Sequence, residues 1–133
     1  MRVESSHSSY PVELRYNHGA WIAEGIAGLV RTSRLAIITD SNVAQIHAKN
    51  LLSNLRNQGK QIQLFEFEAG ETSKTLGTAA RLYDQLLELG LTRDDTIVAL
   101  GGGVVGDMTG FVASTFLRGI DYIQVPTTTL AAV

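Results

Sequence analysis

Apolar positions recur along this chain with two periods, one near two and one near 3.6, and stretches of the two kinds take turns. Val12, Leu14 and Tyr16 alternate with Glu13 and Arg15, which predicts a strand over 10–16 with Pro11 acceptable at its start or on a sheet edge. Leu35-Ala-Ile-Ile-Thr39 is a continuous apolar run followed by Asp40-Ser-Asn42, the pattern of a strand covered on both faces and leading into a helix cap. A helix is predicted over 44–55. After a turn at Gly59-Lys60, Ile62, Leu64 and Phe67 mark a strand over 61–67. The loop 68–74 enters a helix over 75–89, with Leu76, Ala79, Ala80, Tyr83, Leu86 and Leu87 as its apolar stripe and Gly90 as its stop. A further buried strand over 96–100 runs into a glycine-rich loop, a helix over 104–116 and a strand over 122–125 closed by Pro126. Strands alternating with helices on short connections predict an α/β fold: an open, largely parallel sheet flanked by helices, with an N-terminal edge strand or hairpin.

Composition narrows the partners. The 133 residues hold 11 Lys plus Arg against 13 Asp plus Glu, a net charge of −2. No basic block supplies affinity for a phosphate backbone, so nucleic acid is not an expected partner. The chain has no Cys, hence no disulfide framework and no thiolate chemistry. No apolar run approaches the roughly 18 residues of a membrane span, and the first ten residues are polar and Ser-rich, so neither membrane nor export is expected. A cytoplasmic location follows as the expectation. No repeat or linker divides residues 1–133, which read as one domain. Residues 126–133 open a new element without a stop signal, and the chain is expected to be a piece of a longer protein.

The chemistry concentrates around Leu100-Gly-Gly-Gly-Val-Val-Gly-Asp107, where Gly101, Gly103 and Gly106 form GxGxxG between a predicted strand and a predicted helix. Glycines let the backbone approach a pyrophosphate, and the N–H groups and dipole of the following helix stabilise its charge. The same glycines also suit a tight turn that lets the helix pack closely on the sheet. The ordinary dinucleotide fingerprint wants its loop in the first strand-to-helix turn and an acid about 20 residues on. Here at least two strands precede the loop, and Asp121 comes before its strand. A ribose would have to be held from elsewhere, and Asp40 and Asn42 suit it, although both are also good helix N-caps. Asp107 serves as a dipole-complementing acid or as a ligand group. Glu71 and Lys74 stand at the mouth of a predicted helix, as cap and solvated lysine when taken alone. Thr127 and Thr128 place hydroxyls at the carboxyl edge of the sheet, where open α/β sheets bind ligands, or simply cap the next helix. Arg118 either pairs with a helix dipole or forks around a phosphate or carboxylate. His7, His18 and His47 show no metal-ligand spacing and read as structural or exposed, and Trp21 with Ile22 and Ile26 reads as core.

Taken together, Asp40-Ser-Asn-Val43, Gly70-Glu-Thr-Ser-Lys-Thr75, Leu100 to Phe111, Phe116-Leu-Arg-Gly-Ile120 and Gln124-Val-Pro-Thr-Thr128 resemble the 3-dehydroquinate synthase family in order and spacing. The resemblance runs from about Tyr10 to the end. It implies a Rossmann-like NAD-binding domain over 1–133, without the helical, metal-binding C-terminal domain that completes the family's active site. By position, Asp40, Asn42, Glu71 and Lys74 would hold the adenosine and nicotinamide-ribose side. Gly102, Gly103, Val104, Gly106 and Asp107 would hold the pyrophosphate region, with Thr127 and Thr128 as further contacts. Arg118 matches an arginine that binds substrate phosphate, reaching across the family's homodimer. The family converts 3-deoxy-D-arabino-heptulosonate 7-phosphate to 3-dehydroquinate with NAD and a divalent metal, zinc or cobalt. Its Asp-Ser-Ser and Gly-Gly-Lys-Thr segments and its Glu and two His metal ligands have no counterpart here, so the chain alone is expected to hold no catalytic residue and no metal. Alternatives are another sugar-phosphate cyclase of the inosose or valiolone type, and a non-catalytic nucleotide-binding or oligomerising module. The related alcohol and glycerol dehydrogenases typically carry a Ser where this chain has Val104.

Overall fold

The computed structural model describes residues 2–4, 9–12 and 19–132. Two short strands, β1 (Arg2–Glu4) and β2 (Ser9–Pro11), pair antiparallel as a separate two-stranded sheet. The N-terminal hairpin is present, but the strand predicted over 10–16 differs where it is described: β2 starts at Ser9 and ends at Pro11, which lies opposite Arg2 and has no N–H to continue the ladder, Val12 is outside it, and residues 13–16 lie outside the described residues. Helix α1 (Gly19–Leu29) then leads to the main sheet of β3 (Arg34–Asp40), β4 (Gln61–Phe67), β5 (Thr96–Gly101) and β6 (Asp121–Pro126). All neighbours in this sheet are parallel, in the order β4-β3-β5-β6.

Side chains alternate across a parallel sheet, and here both faces are covered. Ala36, Ile38, Phe65, Phe67, Ile97 and Ala99 point to one side, where they meet helices α4 (Leu76–Glu88) and α5 (Gly103–Thr115). Leu35, Ile37, Val98 and Leu100 point to the other, against Ala23 and Ile26 of α1 and against Leu51 and Leu55 of a helix that follows β3. That helix begins at Ser41, earlier than the predicted 44, because the Asp40 carboxylate caps it. It runs as α2 (Ser41–Val43), a π-helical turn (Ala44–Ala48) and α3 (Lys49–Asn57).

The inward stripe of α4 differs from the predicted one. Ala79, Leu82 and Leu86 are buried with Thr78, and Tyr83 is half-buried, whereas Leu76, Ala80 and Leu87 are exposed. At 100° per residue those three stand about 60–100° round the helix from Ala79, beyond the sector the sheet covers. Gly90 stops the helix as expected. Its φ of 70° suits glycine, and the paired bonds Gly90 N–H to Leu87 O and Leu91 N–H to Leu86 O make a Schellman motif.

Helix α5 starts one residue before the prediction and ends at Thr115. A 3₁₀ turn (Phe116–Arg118) follows, in which Leu117 (φ 52°) and Arg118 (φ 68°) both take left-handed conformations. At the same, amino edge of the sheet, the buried Asp95 carboxylate accepts from the Thr32 hydroxyl at 2.6 Å and from the Thr92 N–H at 2.8 Å, and it pairs with Arg34 at 3.3 Å. These contacts tie the loops that enter β3 and β5.

Candidate functional site

The register brings the ends of the strands together. Asp40 lies opposite Phe67, Thr39 opposite Leu100, and Gly101 opposite Pro126. Every candidate that follows a strand therefore emerges at one edge: Asp40 and Asn42 after β3, Glu71 and Lys74 after β4, Gly102 to Asp107 after β5, Thr127 and Thr128 after β6. The chain leaves β3 toward β4 on one side and returns to β5 on the other, so the strand order switches between β3 and β5. Ligands of open α/β sheets sit in such crevices.

The glycines of the loop serve three separate needs. A Cβ on Gly101 would come within 2.5 Å of Val105 Cγ2, and one on Gly106 within 3.1 Å of Gln124 Nε2, so these two admit the close pass of α5 over β5 and β6. A Cβ on Gly103 would meet nothing within 4 Å. Packing does not require glycine there, and the space in front of it is open. Gly102 is the N-cap without a capping side chain, and the first intrahelical bond is Gly106 N–H to Gly102 O. The N–H groups of Gly103, Val104 and Val105 thus leave the 13-residue helix at its positive end.

Facing this helix start, the Asp40 Oδ1 accepts from the N–H groups of Asn42 and Val43, both at 2.9 Å. Asp40 is therefore a cap, and its second carboxylate oxygen remains for a ligand hydroxyl. Asn42 is exposed and does not cap. The neighbouring Ser41 hydroxyl accepts from the Ala69 N–H at 3.1 Å, which holds the loop after β4 against the start of α2. Sequence reasoning did not single out Ser41, and only a hydroxyl after a buried strand hinted at it.

Asp107 is the fifth residue of α5, outside its first turn, so its reading as a dipole-complementing acid gives way to another. Lys74 Nζ stands 2.5 Å from its Oδ2. This hydrogen bond and charge, with Glu71 adding to them, push the Lys74 ammonium above its ordinary pKa. Beneath the loop, burial raises the pKa of the Tyr122 phenol and the charge of Asp107 adds to it; Tyr122 donates to Gln124 Oε1. Thr127 N–H bonds Gly101 O at 2.9 Å, closing β6 onto the glycine loop. Thr128 Oγ1 accepts from Ala131 N–H at 3.3 Å, so it caps the last 3₁₀ turn, as the blander reading expected, while its methyl group covers Gly102.

Arg118 does not join this cluster. It lies at the opposite, amino edge, in an open groove of about 600 Å³ shared with Arg31, Arg93, Asp94, Ser114 and Asp121. Asp121 is the first residue of β6 rather than a residue before it. His47 is exposed on the π-helical turn; Ile26 is core and Ile22 packs against the same cluster, but Trp21, read as core, is only half-buried and belongs to neither core cluster; His7 and His18 lie outside the described residues. Among the described residues no group of three or more His, Cys, Asp and Glu is placed to hold a metal ion. No helix among them is long and apolar enough to cross a membrane.

Residues 64–133 match the family model described as 3-dehydroquinate synthase N-terminal. A 3-dehydroquinate synthase of Caldanaerobacter subterraneus subsp. tengcongensis is 46% identical over 131 residues, 98% of this chain and 37% of that protein. The chain thus spans somewhat over a third of the length of this curated relative. A structure of 2-deoxy-scyllo-inosose synthase complexed with carbaglucose-6-phosphate, NAD+ and Co2+ aligns at TM-score 0.74 with 31% identity, over 83% of this chain and 31% of the other. The 2-epi-5-epi-valiolone synthase of Streptomyces hygroscopicus subsp. jinggangensis, with NAD+ and Zn2+ bound, aligns at TM-score 0.79 with 27% identity, over 96% of this chain and 35% of the other.

Proposed function

The chain belongs to the 3-dehydroquinate synthase family, and on that premise we propose that residues 1–133 form the NAD-binding domain of such an enzyme. The observation that carries this reading is Gly103: a glycine that packing does not demand, at the uncapped start of α5, opening into the crevice between β3 and β5. The open space there admits a ligand, and a pyrophosphate against the N–H groups of Gly103 to Val105 fits it. NAD bound to the two cyclases of like fold supports the choice of dinucleotide.

In this reading Asp40, through its free oxygen, Asn42, Glu71 and Lys74 take the adenosine and nicotinamide-ribose side, and Gly102, Gly103, Val104, Gly106 and Asp107 surround the pyrophosphate. Thr127 carries β6 up to the phosphates, and Thr128 limits the space over Gly102. Bound there, NAD would supply hydride-transfer chemistry at the substrate carbinol. The chain's own part is to fix the dinucleotide's position and to keep its phosphates against a helix start that carries no side-chain cap.

The reaction of the longer protein is the conversion of 3-deoxy-D-arabino-heptulosonate 7-phosphate to 3-dehydroquinate and phosphate, a cytoplasmic step of the shikimate pathway. The described residues of this chain do not fit a metal site, so the zinc or cobalt of the longer protein would be held by residues other than these. Arg118 lies too far round the domain to meet an NAD held at the carboxyl edge of its own chain. Its role toward substrate phosphate is consistent with a homodimer in which it serves the other copy. The cyclase neighbours favour a second reading, in which the substrate is a different sugar phosphate. Two measurements test the proposal. Calorimetric titration of the chain with NAD is expected to give saturable one-to-one binding, competed by ADP-ribose, and no binding at millimolar NAD overturns it. Assay of the full-length protein with the heptulosonate phosphate and with glucose 6-phosphate separates the two substrates.

A further inference from the structure

Tyr122 and Gln124 stand two residues apart on β6, so their side chains share one face of the sheet. Their lateral neighbours on that face, Ile97 and Ala99, are buried and apolar. Helix α5 passes over the pair with glycine at two positions one turn apart. A Cβ on Gly106 would come within 3.1 Å of Gln124 Nε2, and one on Gly110 would lie 4.0 Å from the Tyr122 hydroxyl. The helix thus admits two polar side chains against it, and their hydrogen bonds form a chain. Tyr122 donates to Gln124 Oε1 at 2.8 Å, and Gln124 Nε2 donates to the Ala131 carbonyl at 3.0 Å. A carbonyl only accepts, so Ala131 fixes which way the Gln124 amide points. The Tyr122 phenol, its pKa raised by burial, stays protonated and braces the other end of the amide.

Ala131 belongs to the segment that follows β6. Thr127 N–H bonds Gly101 O at 2.9 Å at the start of that segment, and Thr128 Oγ1 accepts from Ala131 N–H at 3.3 Å, capping the 3₁₀ turn (Leu130–Ala132). Between these two bonds, the Thr128 methyl group stands 3.3 Å from where a Cβ of Gly102 would be. Ala131 is therefore held through its N–H by Thr128 and through its carbonyl by Gln124, and a shift of Ala131 carries Thr128 with it. We propose that Gln124 is a positioning residue: it latches the turn at Ala131 and so sets where Thr127 and Thr128 stand over the glycine loop. This rests on the NAD reading above, which puts both threonines beside the cofactor. Gln124 acts on the cofactor through them.

The test uses the wild-type chain, Gln124→Met, Thr128→Ala and the double variant, read by amide hydrogen exchange, calorimetric NAD titration and thermal unfolding. Methionine keeps the length of the side chain and removes both hydrogen bonds. In Gln124→Met the amides of Ala131 and Ala132 are expected to exchange about threefold faster or more, and NAD to bind about threefold more weakly or worse. Gln124 is exposed, so the unfolding midpoint is expected to move by no more than about 4 °C. Gln124→Glu, which keeps the acceptor toward Tyr122 and loses the donor toward Ala131, is expected to behave alike and serves if the methionine variant does not fold. In the Thr128→Ala background, adding Gln124→Met is expected to weaken NAD little further. If exchange and NAD affinity both stay at wild-type values in Gln124→Met and Gln124→Glu, the inference falls. If Gln124→Met costs as much in the Thr128→Ala background as in wild type, Gln124 is a direct ligand, and the inference falls while the NAD reading stands. If the wild-type chain binds no NAD, the positioning role falls with that reading, and faster exchange in Gln124→Met then marks a structural tie alone.

Discussion

The Thr39 hydroxyl donates to the Leu100 carbonyl at 2.7 Å, joining β3 to β5 at the point where the strand order switches. Both residues are buried, and the bond lies directly under the two walls of the crevice. Thr39→Val keeps the shape and removes the donor. It is expected to cost about 1 kcal/mol, and so to lower the unfolding midpoint by about 3–5 °C. Differential scanning calorimetry checks this, and an unchanged midpoint would mean that the β-ladder alone fixes the edge.

Asp95 is the strongest polar tie at the other end of the sheet, with its side chain only 1% exposed. Burial works to raise its pKa, but hydrogen bonds from Thr32 and Thr92 and the charge of Arg34 outweigh it and hold the carboxyl below its ordinary value. A carboxyl depressed in this way contributes stability in full above its ordinary pKa of 3.8 and loses it as the pH falls through the lower folded value. Asp95→Asn is therefore expected to cost about 2 kcal/mol at pH 7 and progressively less below about pH 4. Urea unfolding at pH 7 and pH 3 gives the two differences; equal values would contradict the assignment.

Arg118 holds a left-handed backbone with an exposed side chain, a conformation that costs a non-glycine residue about 1–2 kcal/mol. Arg118→Gly relieves that strain and offsets it with greater freedom of the unfolded chain. The expected result is stability within about 1 kcal/mol of wild type. In the full-length enzyme the same variant is expected to lose at least about tenfold in kcat/KM for a phosphorylated substrate, as befits a lost charge-assisted contact. A large loss of stability would instead make Arg118 a structural residue.

Much of this was legible in the sequence, because period and punctuation agree. The turn at Gly59-Lys60 and the run Ile62, Leu64, Phe67 mark β4 to its observed limits. The stripe on α4 was misplaced because Leu76, Ala80 and Leu87 are apolar without being needed at the sheet, and composition cannot say how wide a sector the sheet covers. The carboxyl-edge cluster follows from topology, since every residue just after a parallel strand reaches that edge. By the same rule a residue just after α5 reaches the amino edge, so the separation of Arg118 was available from chain order. The Ser41 to Ala69 bond and the Lys74 to Asp107 pair were not, because each joins a loop to a helix, 28 and 33 residues apart, through strand order, which the sequence does not display.

The central claim is that the crevice over the glycine loop holds a dinucleotide, and Gly101 and Gly103 separate packing from binding. Gly101→Ala drives a methyl group into Val105 and is expected to destabilise the fold by about 1–3 kcal/mol. Gly103→Ala adds its methyl group to open space at a helix start and is expected to leave stability equal to wild type or up to about 1 kcal/mol higher. The decisive measurement is NAD affinity of Gly103→Ala by calorimetry, with its unfolding midpoint recorded alongside. An intact fold with NAD binding weakened about tenfold or more is the predicted result. An intact fold that binds NAD as tightly as wild type would contradict the account.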